Sequence, residues 1–203
     1  MPDPNNDRVS IAWLNGMVLK EPKRLVSLSE RVYRNQIEKA AEMIVQESRR
    51  ISILLISGPS ASSKTTTAGK LAARIREKGV GAVVISLDNF FLNRQDLPLL
   101  PNGSKDFESI HTIDMPTLDR CFCELLETNE SDFPIFDFVI GKRSVKTQHI
   151  RISDDTILII EGIHALNPRI VLGHDPSRFK MCIRDSGGSD WIFVGFRAVR
   201  GKE

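Results

Sequence analysis

Gly58-Pro59-Ser60-Ala61-Ser62-Ser63-Lys64-Thr65-Thr66 follows the almost unbroken apolar run Ile51 to Ser57 and leads into the helix-like stretch Lys64 to Lys78. A glycine-led, hydroxyl-rich turn between a buried strand and a helix is the setting of a phosphate-binding loop. Backbone N–H groups from Gly58 to Thr66 can surround phosphate oxygens, the Lys64 ammonium can neutralise the β and γ groups, and the Thr65 hydroxyl can ligate Mg²⁺. One position departs from the pattern: Ser63 stands where glycine normally precedes the lysine. A Cβ there obstructs the backbone angles and the close phosphate approach that glycine permits, at a cost of about 1 to 2 kcal/mol. The competing reading is an ordinary Ser/Thr-rich helix cap, but caps rarely set glycine, lysine and two threonines in register after a buried strand.

Working outward, Gly79 ends the helix and Val80 to Leu87 is a second buried strand, so a βαβ unit with a parallel pair is predicted. Upstream, from Ser29, Val32, Ile37, Ala40, Ala41 and Ile44 recur at helical spacing and give a face that packs on the sheet. Before that, Ile11 to Leu14 and Met17 to Leu19 flank Asn15-Gly16, a favoured two-residue turn. Residues 1–27 therefore read as a small hairpin or the end of an upstream module. Downstream, Asn89 to Asp106 holds Pro98, Pro101 and Asn102-Gly103 without sustained periodicity, as expected of a substrate-side loop. Pro116 to Glu127 reads as a helix, Phe133 to Val139 as extended chain and Gln148 to Ile152 as a short strand. Thr156 to Ile160 is a buried strand that delivers Glu161 to its end.

Two carboxylates belong with the loop. In a parallel α/β sheet the C-terminal strand ends gather where ligands bind, so Asp88, just after the second strand, should lie near Lys64. A carboxylate there can accept the proton of an attacking hydroxyl or help to hold a metal; taken alone, an aspartate at this position is more simply a turn or helix-cap residue. Glu161 ends the apolar strand Ile157 to Ile160 and looks like a Walker B acid that holds Mg²⁺ directly or through water.

Composition narrows the classes. A chain of 203 residues suits one α/β domain with one functional site. Lysine plus arginine number 28 against 26 aspartate plus glutamate, so a net charge of +2 gives no reason to expect nucleic acid or an anionic membrane as partner. With 41% hydrophobic and 27% charged residues, and no apolar run beyond strand length, the chain reads as soluble and globular, without a spanning or secretory segment. Three cysteines, Cys121, Cys123 and Cys182, do not suggest a disulfide framework and fit a cytoplasmic location. His111, His149, His164 and His174 lack metal-site spacing. His164 follows the Glu161 strand, where a packed role and an active-site role are both open.

From about Val32 to Lys180 the chain resembles the uridine kinase and phosphoribulokinase family of P-loop kinases, most closely its bacterial uridine kinase-like nucleoside kinases. The resemblance is carried by the phosphate loop, Ser86-Leu87-Asp88-Asn89-Phe90-Phe91-Leu92, Asp106-Phe107-Glu108-Ser109, Phe136-Asp137-Phe138 with Gly141-Lys142-Arg143, and Ile159-Ile160-Glu161-Gly162-Ile163-His164-Ala165-Leu166-Asn167-Pro168. It implies transfer of the γ-phosphoryl group of ATP, with Mg²⁺, to the 5′-hydroxyl of a nucleoside, with uridine or cytidine as first candidates. It further implies Asp88 as general base, Lys64 and Thr65 as phosphate and Mg²⁺ contacts, and Glu161 as the metal-site acid. Glu108 falls where an acid holds ribose hydroxyls, and Phe91 and Phe136 fall where aromatics surround the base. Where the uridine kinases place a pyrimidine-reading histidine, Gly141 stands nearby.

The expected fold is thus a three-layer α/β P-loop NTPase, nucleoside kinase-like, with a parallel sheet and helices on both faces. It is expected to be C-terminally incomplete, because the resemblance stops after Phe179-Lys180. Met181-Cys182-Ile183-Arg184-Asp185-Ser186 reads like a translated transposon-derived sequencing adapter. We therefore divide the chain into residues 1–27, a partial kinase domain at 28–180 and a non-native tail at 181–203, with homo-oligomerisation left open. The rival functions are a phosphoribulokinase-like kinase for another acceptor and a nucleotide-binding module without transfer activity.

Overall fold

The computed structural model describes residues 10–48, 53–171, 179–184 and 191–195. The chain begins with helices α1 (Ile11–Lys20) and α2 (Pro22–Gln46), then strand β1 (Ile53–Ser57), helix α3 (Lys64–Glu77) and strand β2 (Ala82–Ser86). There follow α4 (Met115–Thr128), β3 (Glu130–Asp137), β4 (Lys142–Arg151), β5 (Ile157–Glu161), the single turn α5 (Pro168–Val171), β6 (Phe179–Arg184) and β7 (Trp191–Gly195). Five strands form one sheet in the order β2-β5-β1-β6-β7, parallel except for β7, and β3 with β4 forms a separate antiparallel hairpin.

Strand side chains alternate between faces, and the alternation builds two cores. Leu54 and Ile56 of β1 with Ile157 and Ile159 of β5 meet Ile37, Ala40, Ala41 and Ile44 of α2 and Ala68, Leu71, Ala72 and Ile75 of α3. Ile53 and Leu55 with Leu158 and Ile160 face the other way, against Leu118, Phe122 and Leu125 of α4 and Phe133 of the hairpin. Small residues on α2 and α3 let those helices approach closely. Each large aliphatic side chain buried here contributes about 1.5 to 3 kcal/mol, so Leu71→Ala is expected to cost about 2 to 5 kcal/mol. The result is the three-layer α/β architecture with helices on both faces of a mainly parallel sheet.

Several expectations need correction. The first segment is not a hairpin: Asn15-Gly16 lies inside α1, whose N-terminus is capped by the Ser10 side chain accepting from the Trp13 N–H at 3.1 Å. An internal glycine costs a helix only about 1 kcal/mol, and the cap with the flanking apolar residues outweighs it. Pro22 then starts α2, which runs unbroken through the division expected at Ser27 and leaves Val32 on its exposed side. The strands β1 and β2 are parallel but not neighbours, because β5 lies between them.

β4 extends over ten residues where only Gln148 to Ile152 was predicted, because its faces are mostly exposed and carry no alternating signal. The boundary expected at Lys180 falls within β6, which pairs in register with β1 from Phe179 to Ile183. Of the expected tail, residues 185–190 and 196–203 lie outside the described residues, as do residues 1–9, the strand start at Ile51, and His174. Among the described residues no helix is long and apolar enough to cross a membrane.

Candidate active site

The sheet register lines up the ends of three strands. Ile56 pairs with Glu161 and Ser86 pairs with Glu161, so the loop after β1, the turn after β2 and the last residue of β5 share one edge. The Ser57 hydroxyl donates to the Ile163 carbonyl at 2.7 Å and the Gly162 N–H donates to the Ile56 carbonyl at 3.1 Å, fastening that edge. A Cβ on Gly162 would lie 2.8 Å from the Leu87 Cβ, so only glycine lets the end of β5 press against the residue preceding Asp88.

Between β1 and α3 the chain turns through two left-handed residues, Ala61 at φ 61° and Ser63 at φ 61° and ψ 30°. Ser63 thus holds the backbone conformation that glycine adopts without penalty, as the sequence position implies. The Ser63 carbonyl accepts from the Thr67 N–H at 2.9 Å and so opens the hydrogen-bond ladder of α3. Lys64 is buried, and its Nζ donates to the Pro59 carbonyl at 2.7 Å, inside its own loop. Among the described residues the buried Ser62 Oγ has no hydrogen-bond partner.

Thr65 Oγ1 donates to Glu161 Oε1 at 3.1 Å; Glu161 is fully buried, and among the described residues its Oε2 makes no hydrogen bond. A buried carboxylate oxygen without a partner, beside a hydroxyl, is a hard-oxygen pair suited to Mg²⁺. Asp88, on the 3-10 turn Leu87–Phe90, joins Ser60, Lys64, Thr65 and Ile163 around a cavity of about 240 Å³. Burial, and then the negative charge of Glu161, hold the Asp88 carboxyl above the usual aspartate range; Lys64 and His164 act in the opposite sense.

The same turn splits two phenylalanines. Phe90 is fully buried and meets Phe133 edge-on at 5.9 Å, whereas Phe91 meets Phe136 edge-on at 6.0 Å. Phe91, Phe136, Phe138, Leu97 and Arg94 border a second, mostly apolar cavity of about 110 Å³. The structure therefore groups Lys64, Thr65, Asp88 and Glu161 at one edge and Phe91 with Phe136 at an adjoining turn. It leaves Glu108 on an exposed loop, outside the lining of either cavity.

Sequence reading missed three contributors. Asn89 Oδ1 accepts from the Phe136 N–H at 3.1 Å and ties the two aromatic segments together. Arg143 pairs with Asp114 at 2.8 Å and donates to the Phe90 carbonyl at 3.1 Å, bracing the turn from behind. Arg94 borders the second cavity. Each acts across a long sequence separation; Asn89 and Arg143 fall within motifs that carry the family resemblance, but no local pattern marks the contact that each makes.

The chain matches the model of the Phosphoribulokinase / Uridine kinase family over residues 53–175. It is 28% identical over 138 residues to the uridine kinase of Lactobacillus johnsonii, covering 68% of this chain and 61% of that protein. It is 28% identical over 122 residues to the uridine kinase of Proteus mirabilis, covering 58% of this chain and 55% of that protein. The chain thus spans only 55% to 61% of the length of these two relatives. Among solved structures, a possible uridine kinase from Bacillus stearothermophilus superimposes with a TM-score of 0.58 at 23% identity, over 70% of this chain and 77% of that one, a likeness of fold.

Proposed function

Because the chain belongs to the phosphoribulokinase/uridine kinase family, we propose that it serves ATP- and Mg²⁺-dependent phosphoryl transfer to the 5′-hydroxyl of a nucleoside, with uridine or cytidine the first acceptors to try. The observation that carries this reading is the single cavity bordered by the phosphate-loop residues Lys64 and Thr65 and by Asp88, with Thr65 bonded to Glu161 behind it. Free Cys121 and Cys123 support a cytoplasmic location.

Phosphoryl transfer needs little covalent help; alignment of the hydroxyl and neutralisation of charge supply most of the acceleration. Backbone N–H groups of the loop from Gly58 to Thr66 cradle the polyphosphate of ATP. Lys64 exchanges its bond to the Pro59 carbonyl for the β and γ oxygens. Thr65 and Glu161 would hold Mg²⁺, which would supply charge neutralisation at those oxygens.

Asp88 accepts the proton of the attacking hydroxyl. Its burial among like charge makes it a better proton acceptor than an exposed aspartate. Phe91 and Phe136 flank the base, and Glu108 is assigned to the ribose hydroxyls on the family resemblance.

Binding of a non-hydrolysable ATP analogue with and without Mg²⁺, followed by an acceptor panel that includes sugar phosphates, tests the proposal. Absence of analogue binding would overturn it, and turnover of sugar phosphates alone would move the assignment to a phosphoribulokinase-like acceptor. A second reading, a nucleotide-binding module without transfer activity, is favoured by the left-handed Ser63 in the loop. It predicts analogue binding with no acceptor phosphorylated, even after Ser63→Gly.

A further inference from the structure

We propose that Arg94 is a specificity-determining residue of the acceptor pocket, donating a hydrogen bond to a ring carbonyl oxygen of the acceptor; this rests on the nucleoside reading above. Arg94 is pinned at both ends to the turn between β3 and β4. Its backbone N–H donates to the Gly141 carbonyl at 2.9 Å, and its Nη2 donates to the Phe138 carbonyl at 2.8 Å. Gly141 sits at φ 67°, and a Cβ there would lie 2.6 Å from Arg94 Nε and 2.7 Å from Arg94 Cγ. The arginine stem therefore occupies the space that a side chain at position 141 would need. The two positions compete for one volume, and in this chain Arg94 fills it.

That placement sets the polarity of the pocket. Its other lining side chains are apolar apart from Thr112, whose hydroxyl is already committed to the Ser109 carbonyl at 2.7 Å. Arg94 spends one of its five N–H donors on Phe138 and carries no acceptor atom. Among the described residues it is thus the lining side chain with donors to spare, fixed at the rim of a pocket walled by aromatic rings. A planar ring that stacks against Phe136 meets a donor-only edge at Arg94. Such an edge is satisfied by a carbonyl oxygen or an unprotonated ring nitrogen and left unpaired by a ring without acceptors.

The test compares the affinity of the full 203-residue chain for uridine and for a benzene C-riboside, which stacks but has no ring carbonyl. ADP binding reports on the phosphate loop in parallel. Wild type is expected to prefer uridine by about 10- to 100-fold, the range of a hydrogen bond to a charged group. Arg94→Met keeps an apolar stem over Gly141 and removes the donors, and should bring that ratio close to one with ADP affinity unchanged. Arg94→Lys, a point charge without the planar fork, should give an intermediate ratio.

An unchanged ratio in Arg94→Met, or an equal loss of affinity for both ribosides, would mark Arg94 as packing and overturn the proposal. A wild-type chain that binds ADP but neither riboside would instead overturn the nucleoside reading, and this inference with it.

Discussion

The Thr65 hydroxyl bonds the buried Glu161 carboxylate at 3.1 Å, joining the first turn of α3 to the end of β5 across 96 positions of chain. Among the described residues the other Glu161 oxygen has no partner, which costs about 1 to 3 kcal/mol unless a cation completes it. Glu161→Gln should therefore preserve the fold yet lose the tightening of ATP-analogue binding by Mg²⁺, and lower turnover by roughly 10²-fold or more. Titration calorimetry with and without Mg²⁺ decides it; a full Mg²⁺ effect in the variant would contradict the role.

Asp88→Asn separates chemistry from stability. If Asp88 is the base, turnover should drop by about 10² to 10⁴-fold with ATP affinity largely intact. Burial and Glu161 raise the Asp88 carboxyl, so its ionised form opposes folding. Its favourable contribution is present below the unfolded pKa near 3.9 and is lost as pH rises through the higher folded value. The variant should accordingly melt above wild type at pH 7, with the gap closing toward pH 4. Wild-type turnover should fall on the acid side at a pH above that of an ordinary aspartate. A variant that melts at the wild-type temperature at pH 7 would refute the electrostatic argument.

Ser63→Gly should relieve the left-handed serine. The relief, about 1 to 2 kcal/mol, is offset by about 0.5 to 1 kcal/mol of added unfolded-chain entropy, so a net gain of about 0 to 1.5 kcal/mol is expected. Denaturant unfolding measures it, and analogue binding should tighten in parallel. Weaker binding in the variant would show that the serine hydroxyl contributes to the loop.

Arg143→Met should loosen the turn that carries Asp88 to Phe91, because Arg143 holds both Asp114 and the Phe90 carbonyl. Burial alone would raise the Asp114 carboxyl, but Thr117 and Arg143 outweigh it and hold it below the usual range. That contribution is present above the unfolded pKa near 3.9 and disappears as pH falls through the lower folded value. The variant should lose about 1 to 3 kcal/mol at pH 7, with the difference shrinking in acid. Thermal melts across pH test both halves; a difference that grows in acid would be inconsistent with the ion pair.

What was legible in the sequence was local. The loop from Gly58 to Thr66, the apolar strands around it and the acid closing β5 are contiguous patterns, and each falls where its spacing indicates. Asn15-Gly16 is a turn-forming pair when taken alone, and the Ser10 cap beside it carries the pair into a helix. The order of β1, β5 and β2 was not legible, since apolar runs state that a strand is buried and not which strand it adjoins. The second cavity was half legible. Phe91 and Phe136 come from a family resemblance, whereas the crossing of Arg94 over Gly141 exists only once two segments 47 residues apart in chain numbering have met.

The position of β5 between β1 and β2 has a consequence during synthesis. Until Ile157–Glu161 has left the ribosome, the two earlier apolar strands lack the neighbour that each requires, and Thr65 lacks its carboxylate. The nascent chain must therefore carry its phosphate loop unsupported while the 96 positions from Thr65 to Glu161 are added, and the site is assembled only when that strand arrives.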